Sequence, residues 1–258
     1  MSARLHSQAV VAIIPARFQS TRFPGKPLTP IYNKPLIQWT VENAKKCTAL
    51  DHIIVTTDHD QIEKIVRSLG VDVQRTPSSC PSGTDRMAEV VRNRPELLNV
   101  KYLVNIQGDE PCIQATTIES VIQKMDRSEA DIGTPISPIV EQGLIMSPHV
   151  TKCVKRLDGM ALYFSRSPIP GGKKIEFSKE NVFYRHIGLY AFKPKSLMTF
   201  SSLQKSPLEI REDLEMLRAL ENGMTIVTTE VSEVPPGVDI PEDIEKVKQW
   251  IQTYNTSL

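Results

Sequence analysis

Short apolar runs alternate with helical patterns along the first half of the chain, and this alternation limits the possible folds more than any other feature. Runs at residues 9–14 and 102–106 predict buried strands, and residues 52–57 and 71–75 predict two further strands. Helices are predicted near residues 35–47, 62–69, 84–94 and 118–125, and Gly70 is expected to cap the second of them. Repeated strand–helix units require right-handed crossovers, so we expect an α/β fold with a mostly parallel, Rossmann-like sheet flanked by helices.

The pattern changes after residue 130, where strand-like runs dominate. They cover residues 131–139, 152–157, 160–166 and 184–192. A helix over residues 207–221, with Ser206 at its N-cap and Gly223 beyond its end, a strand over 225–231 and a last helix from Pro241 follow. We therefore predict a single domain spanning residues 1–258, in which residues 131–205 form an inserted strand-rich lobe suited to dimerisation.

Composition excludes several classes of function. With 31 basic and 30 acidic residues the net charge is only +1, which argues against a nucleic-acid binder. The four scattered cysteines form no CxxC pair, so we expect free thiols in a reducing compartment rather than zinc or disulfides. The longest apolar run is too short to cross a membrane, and no signal-peptide pattern opens the chain. A cytoplasmic protein without membrane insertion is the expectation.

The stretch "IIPARFQSTRFPGKPL" at residues 13–28 places three cations on one loop after the first strand, where open α/β sheets bind ligands. It is not a Walker loop, since Ser20 stands where glycine is needed and Pro27 where magnesium-binding Ser or Thr belongs. Arg17, Arg22 and Lys26 suit a polyphosphate, because arginine offers forked donors and lysine a point charge. A solvated basic loop is the alternative.

Acidic residues follow two of the predicted strands. "NIQGDEP" places Asp109 at the carboxyl edge of the sheet, where a divalent cation could bridge it to a phosphate. Asp239 in "GVDIPED" is a possible second ligand, although its spacing fits a helix N-cap equally well. Asp58-x-Asp60 has the spacing of a glycosyltransferase metal motif, but we expect it to be mainly structural, with Asp60 capping a helix that begins at Gln61.

The second half offers candidates for a further ligand. Arg166 ends a strand, and His186 and Tyr190 lie four apart, which puts them on one face of a strand with Gly188 between them. Glu212 and Glu215 are predicted on one helix face, opposite the apolar residues Ile210, Leu214 and Leu217. Structural roles explain each of these residues as well. In the first half, Ser82-Gly83 fits either a helix start or a contact to a nucleobase.

Several motifs together resemble one known family. Besides the opening loop these are "SGTDRMAEV" (82–90), "NIQGDEP" (105–111), "ALYFSRSPIP" (161–170), "RHIGLYAF" (185–192), "SPLEIREDLEMLR" (206–218) and "GVDIPED" (237–243). In this order they resemble sugar nucleotidyltransferases that act on acidic sugars, in particular the 3-deoxy-manno-octulosonate cytidylyltransferase (Kdo cytidylyltransferase) family. The resemblance runs from about residue 11 to the last helix.

The resemblance implies an activity and a set of site residues. CTP and Kdo would give CMP-Kdo and pyrophosphate for lipopolysaccharide biosynthesis, with the enzyme acting as a homodimer. It implies that Asp109 and Asp239 hold Mg²⁺ and act in catalysis with Arg17, Arg22 and Lys26. The implied nucleotide contacts are Arg17, Ser20, Lys26, Ser82, Gly83 and Gln107. The implied sugar contacts are Gln107, Arg166, His186, Tyr190 and Glu215, beside Met216, where many relatives carry a polar residue.

The expected chemistry is in-line attack of the sugar's anomeric hydroxyl on the α-phosphorus, without a protein nucleophile. Positioning and charge neutralisation would carry the reaction. A cytidylyltransferase for sialic acid and a hexose-1-phosphate enzyme are the nearest alternatives. A glycosyltransferase using Asp58 and Asp60, and a non-catalytic nucleotide-binding module, are the rivals from other classes.

Overall fold

The computed structural model describes residues 5–19, 22–172 and 183–254 of the 258-residue chain. Two compact units are present: Met1–Glu119 together with Pro235–Leu258, and Ser120–Val234. Each is described by itself below, and the single domain expected from the sequence stays a prediction. Within the described ranges, no helix has both the length and the apolar character needed to cross a membrane.

The first unit alternates strands and helices as the apolar pattern predicts. Its strands are β1 (Val10–Ala16), β2 (Pro30–Ile31), β3 (Lys34–Pro35), β4 (His52–Thr57), β5 (Asp72–Arg75) and β6 (Tyr102–Asn105). Its helices are α1 (Leu36–Ala44), α2 (Asp60–Ser68), α3 (Gly83–Asn93) and the start of α4 (Ala115–Asp126), with short 3-10 helices at Lys26–Leu28 and Pro95–Asn99. Helix α2 ends before Gly70, whose φ of +69° is the left-handed conformation expected of a C-terminal cap.

The main sheet of this unit is parallel, in the order β5-β4-β1-β6. Strand β1 lies between β4 and β6, with Ile14 opposite Val55 and Ala12 opposite Val104. All but one of the residues of β1 are buried, which explains its unbroken apolar run. Because parallel strands end at the same edge, the loops that follow β1, β4 and β6 are brought together.

The second unit is rich in strands, as predicted. Its strands are β7 (Ile132–Pro138), β8 (Lys152–Lys155), β9 (Ala161–Ser165), β10 (Tyr184–His186), β11 (Tyr190–Phe192) and β12 (Ile226–Glu230). Its helices are α5 (Gln142–Met146), α6 (Pro194–Ser202), α7 (Pro207–Glu212) and α8 (Met216–Glu221). Strand β7 pairs in parallel with β12 and antiparallel with β10 and β11, and β8 and β9 continue beyond β10. Helix α9 (Asp243–Tyr254) then returns the chain to the first unit.

Two predicted elements of this unit are each broken in two. The strand expected over 184–192 is interrupted between β10 and β11, because the Thr134 hydroxyl donates its proton to the carbonyl of Leu189 at 2.8 Å and lies 3.3 Å from the carbonyl of Ile187. The helix expected over 207–221 ends at Glu212, since Asp213 is left-handed with a φ of 53°. Its predicted N-cap residue is confirmed as Ser206, whose backbone N–H donates to the Glu209 carboxylate at 3.2 Å.

One predicted cap in the first unit is wrong. Helix α2 begins at Asp60 itself, its N-cap residue is His59, and no side-chain oxygen caps it. The Asp60 carboxylate instead accepts a hydrogen bond from Arg75 at 2.8 Å, and its side chain is 95% exposed. An acidic residue in the first turn still favours the helix through the helix dipole.

Candidate functional site

A cavity of about 210 Å³ lies where the loops after β1 and β6 meet the start of α3. Seven residues that the sequence singled out line it: Arg17, Arg22, Lys26, Ser82, Gly83, Gln107 and Asp109. The other lining residues are Pro15, Ala16, Pro27, Cys80, Arg86 and Gly108. Ser20, also predicted to contact nucleotide, lies outside the described residues. Motifs far apart in sequence thus share one cavity.

Gly108 allows the end of β1 and the loop after β6 to approach closely. A Cβ atom at this position would lie 2.4 Å from the carbonyl oxygen of Pro15, well inside van der Waals contact. The neighbouring Gln107 side chain extends toward the start of α3, where its Oε1 would be 3.5 Å from a Cβ placed on Gly83. Only glycine fits at 108, and this close approach shapes the floor of the cavity.

Lys26 is held in place by the turn that precedes it. Gly25 has a φ of +73° and donates its N–H to the carbonyl of Phe18 at 2.9 Å, which closes the opening loop. The Lys26 side chain is only 10% exposed. Its Nζ donates to Asp109 Oδ2 at 2.5 Å and to the carbonyl of Val238 at 2.7 Å. The ammonium group therefore ties three distant segments of the chain together.

The segment that carries Asp239 is positioned by its neighbour Val238. Val238 is buried in an apolar cluster with Leu36, Trp39 and Cys112, and its N–H donates to the carbonyl of Asp109 at 3.0 Å. These contacts bring the next residue to the opening loop.

The Asp239 carboxylate faces the cations of the opening loop. Its Oδ1 lies 3.1 Å from Arg22 Nη2 and 3.9 Å from Lys26 Nζ. The alternative role as a helix cap is wrong, because Asp243 accepts the N–H groups of Asp239 and Ile240 at the start of α9. Asp109 and Asp239 therefore converge on the same ammonium group.

The two carboxylates fit a magnesium ion that is shared with a polyphosphate. Among the residues the structure describes, no group of three or more His, Cys, Asp or Glu side chains could form a metal site from protein ligands alone. Mg²⁺ commonly takes one or two carboxylates and fills its octahedron with phosphate oxygens and water. Asp109 and Asp239 supply that donor set, and the cationic loop beside them suits the phosphates.

Asp58 and Arg86 support the cavity from behind. The Asp58 carboxylate is 12% exposed and accepts hydrogen bonds from the Phe18 N–H and from Arg86 Nη2, both at 3.2 Å. The guanidinium of Arg86 is 2% exposed and also donates to Thr76 at 2.7 Å. The Phe18 ring stacks on His59, with centroids 4.0 Å apart. The structural interpretation of Asp58 agrees with these contacts.

Arg86 is a lining residue that was not predicted from the sequence. A signal was present, because Arg86 lies four residues before Val90 and so shares the buried face of α3. A charged residue on an apolar helix face needs a buried partner, which suggests a carboxylate elsewhere in the chain. Ser82, in contrast, behaves as a helix start: its hydroxyl accepts the Asp85 N–H at 3.1 Å and donates to the Asp85 carboxylate at 2.8 Å.

The second unit brings three predicted residues together. The rings of His186 and Tyr190 have centroids 5.4 Å apart although the strand between them is broken. Burial lowers the pKa of His186 to about 4, so its imidazole is neutral near pH 7, and it hydrogen-bonds to Thr134 at 2.9 Å. Burial and the nearby charge of Glu215 raise the pKa of Tyr190. An aromatic pair and one carboxylate thus form a compact polar group.

Arg166 makes different contacts from those expected of a ligand-binding cation. Its guanidinium donates to the carbonyls of Glu212 at 2.7 Å, Asp213 at 3.1 Å and Pro148 at 3.2 Å. The bonds to Glu212 and Asp213 satisfy carbonyl groups at the end of α7, where the predicted helix breaks. In this conformation Arg166 stabilises the backbone around it.

The predicted arrangement of Glu212 with Glu215 on one helix face is wrong. Glu212 ends α7, whereas Glu215 precedes α8 as its N-cap residue. The Glu212 carboxylate accepts hydrogen bonds from Ser165 Oγ at 2.8 Å and from the N–H of Arg166 at 2.9 Å. On the predicted apolar side Ile210 is 67% exposed.

These features define an α/β protein whose sheet edge combines clustered cations with two convergent carboxylates, as polyphosphate chemistry requires. Comparison with known proteins agrees. A family model described as cytidylyltransferase matches residues 11–226. A 3-deoxy-manno-octulosonate cytidylyltransferase of Protochlamydia amoebophila (strain UWE25) is 42% identical over 250 residues, which cover 96% of both chains. The Arabidopsis thaliana protein named 3-deoxy-manno-octulosonate cytidylyltransferase, mitochondrial, is 41% identical over 96% of this chain and 85% of its own.

A solved structure shows the same fold with a nucleotide. It is a CMP:2-keto-3-deoxy-manno-octonic acid synthetase complexed with CTP, which superposes with a TM-score of 0.88 at 34% identity and covers 95% of this chain and 99% of its own. The chain belongs to the cytidylyltransferase family and, within it, to the 3-deoxy-manno-octulosonate cytidylyltransferases.

Proposed function

We propose that this protein transfers CMP from CTP to 3-deoxy-manno-octulosonate (Kdo) and releases pyrophosphate. The observation that carries the proposal is the convergence of Asp109 and Asp239 on Lys26 within a cavity lined by Arg17 and Arg22. Family membership supplies the identity of nucleotide and sugar, since relatives with this name align over nearly the whole chain. The geometry supports the charge distribution that nucleotidyl transfer needs.

The cations of the opening loop bind the triphosphate. Arg17 and Arg22 offer forked donors to phosphate oxygens, and Lys26 contributes a compact charge. As the anomeric hydroxyl attacks the α-phosphorus and loses its proton to water, the bond from phosphorus to the sugar oxygen forms while the bond from phosphorus to the β-phosphate oxygen breaks. Negative charge grows on the departing pyrophosphate, and the cations already bound to the triphosphate stabilise it.

Asp109 and Asp239 hold Mg²⁺ in this proposal. When bound, the ion neutralises phosphate charge and lowers the pKa of a coordinated hydroxyl. Ser82 and Gly83 lie at the start of α3, where backbone groups can read the cytosine edge. Gln107 lies beside Gly83, so its amide can contact the nucleotide, and the family resemblance adds a contact to the sugar.

The sugar contacts are proposed in the second unit. Neutral His186 can donate or accept at a sugar hydroxyl, and the raised pKa of Tyr190 keeps its phenol a hydrogen-bond donor near pH 7. Glu215 is the proposed hydroxyl acceptor beside them. Arg166 is the proposed partner of the sugar carboxylate; for that, its guanidinium would exchange part of its present carbonyl contacts for the ligand.

Pyrophosphate release tests the proposal. With CTP, Mg²⁺ and Kdo, we expect stoichiometric pyrophosphate and CMP-Kdo. Asp109→Asn should lower kcat by at least about a hundredfold, which is the usual size of a lost electrostatic contribution. Its circular dichroism spectrum should stay unchanged. Asp60→Asn, whose carboxylate is 95% exposed, serves as the control and should turn over like wild type. Wild-type rates in Asp109→Asn would contradict the assignment.

A panel of substrates separates the alternatives. Sialic acid and hexose 1-phosphates with CTP should give little pyrophosphate compared with Kdo. A glycosyltransferase would consume a nucleotide sugar without releasing pyrophosphate, and a binding module would hold CTP without turnover. The contacts of Asp58 with Arg86, and of Asp60 with Arg75, support a structural role for that motif instead.

Assembly and location are part of the same proposal. Leu162 supports a homodimer formed through the strand-rich region. It lies on β9, the edge strand of the described part of the sheet, and is 56% exposed. Light scattering of the purified protein measures the mass directly. A cytoplasmic location in lipopolysaccharide biosynthesis agrees with four free cysteines, which suit a reducing compartment.

A further inference from the structure

The Lys26 ammonium group lies at the two carboxylates that are the proposed metal ligands. Asp109 Oδ2 accepts a hydrogen bond from Nζ at 2.5 Å, and Asp239 Oδ1 lies 3.9 Å from it. The carbonyl of Val238 accepts a further bond from Nζ at 2.7 Å and fixes the ammonium from another side. Lys26 is therefore an internal cation at the two carboxylates.

Burial makes this contact strong. The Lys26 side chain is 10% exposed and that of Asp109 is 36% exposed, so water screens their attraction less than it would on an open surface. A divalent ion brought to Asp109 must either displace the ammonium or lie close to a like charge. Both options weaken the binding of metal alone.

Arg22 has the same effect at the second carboxylate. Its Nη2 is 3.1 Å from Asp239 Oδ1, in a more exposed pair than that of Lys26. Arg22 and Lys26 both belong to the opening loop, which also lines the cavity. A nucleoside triphosphate offers these cations several anionic oxygens, so its arrival supplies new partners and frees the carboxylates for metal.

We propose that Lys26 acts as a built-in competitor of the divalent metal, so that Mg²⁺ binds tightly only together with the nucleotide. The inference rests on the proposed function, because it takes Asp109 and Asp239 as the metal ligands. Lys26 thereby has two successive partners: the carboxylate of Asp109 in the free protein, and the polyphosphate in the loaded one. The order of binding follows from the positions of its charges.

Binding of Mn²⁺ to the full-length protein without nucleotide tests the competition directly. Electron paramagnetic resonance measures free Mn²⁺ during a titration, independently of turnover. Wild type should bind Mn²⁺ weakly, and Lys26→Met should lower the Kd by about tenfold or more, because the competing charge is gone. Lys26→Arg keeps the charge and should resemble wild type, and Lys26→Gln repeats the test should the methionine variant fold poorly.

A second substitution links the effect to the carboxylate. Adding Asp109→Asn to Lys26→Met should abolish the gain in Mn²⁺ affinity. Equal Kd values for wild type and both uncharged variants would overturn the proposal. Tight binding of Mn²⁺ to wild type in the absence of nucleotide would also overturn the proposal. If that binding depended on Asp109, the assignment of Asp109 as a metal ligand would still hold.

The ternary complex distinguishes failure of this inference from failure of the proposed function. Water proton relaxation reports Mn²⁺ held on the protein with CTP, since the ion tumbles more slowly there than on free CTP. Wild type should show the enhancement and Asp109→Asn should lose it. An unchanged enhancement in Asp109→Asn would refute Asp109 as a ligand, and with it the role of Lys26 as its competitor.

Discussion

Replacing Asp58 by asparagine tests whether the Asp58-x-Asp60 motif is structural or binds metal. Asparagine keeps the shape and still offers a carbonyl oxygen to the N–H of Phe18, which lies 3.2 Å from the present carboxylate. What is lost is the negative charge opposite Arg86, 3.2 Å away. The substitution therefore isolates one buried ion pair.

The size of the effect follows from burial. The Arg86 side chain is 2% exposed and that of Asp58 is 12% exposed. Removing one partner of a buried pair leaves an uncompensated charge and typically costs about 3–5 kcal/mol. Arg86 keeps its hydrogen bond to Thr76, so we expect a loss of about 3 kcal/mol in the free energy of unfolding. For a chain of this size that corresponds to a melting temperature lower by roughly 6–12 °C.

Thermal unfolding by circular dichroism measures this loss, and two variants complete the design. Asp60→Asn is the matched control and should change stability by less than about 0.5 kcal/mol, because its carboxylate is 95% exposed. The double variant Asp58→Asn with Arg86→Met removes both charges and should recover at least about 1 kcal/mol of the loss. A metal motif predicts the opposite pattern: both single variants would keep full stability and lose Mn²⁺ binding. That result would refute the structural reasoning.

Two further predictions concern close packing and pH. Gly108→Ala places a Cβ atom 2.4 Å from a carbonyl oxygen of β1 and should lower the free energy of unfolding by about 1–3 kcal/mol, as overpacking does. Gly143→Ala is the control, because the space around its Cβ is open. Equal melting temperatures for the two variants would contradict the close approach at the cavity floor. The Arg94 guanidinium and burial together set the pKa of Asp72, with a net lowering to about 2. A lowered folded pKa adds stability that is present above pH 4 and lost as the pH falls toward 2. Near pH 7 the free energy of unfolding of wild type should therefore exceed that of Asp72→Asn by up to about 2 kcal/mol. Urea unfolding at several pH values measures this difference, and a difference that does not change with pH would contradict the prediction.

The local rules of the sequence predicted most of the secondary structure. The unbroken apolar run of residues 9–14 predicted β1, since a strand buried on both faces has no polar positions to display, and the apolar centre of residues 52–57 predicted β4. The glycines at 70 and 223 follow the ends of helices in the left-handed conformation, and Ser206 is the N-cap residue of α7. Each of these signals depends on residues within one or two turns of each other.

Longer-range contacts overrode local preference where elements broke. Residues 207–221 have a helical pattern throughout. The helix is nevertheless interrupted after α7, where the Arg166 guanidinium donates to the carbonyls of Glu212 and Asp213 and where Asp213 adopts the left-handed conformation. The carbonyls of Ile187 and Leu189 likewise lie beside the Thr134 hydroxyl, which donates to them and not to the strand ladder. No local pattern shows that a side chain elsewhere competes for these backbone groups.

The candidate site divides in the same way. Residue type and position predicted the cationic loop and Asp109 as groups that bind charge, whereas spacing left Asp239 open between a metal ligand and a helix N-cap until the family resemblance favoured metal. Only the folded chain decided their pairing: Lys26 contacts a carboxylate 83 residues away and a carbonyl 212 residues away. It also assigned Asp58 to Arg86. Residue type and spacing are local properties, whereas the partner that a buried charge finds depends on which segments the packed sheet brings within a few ångströms.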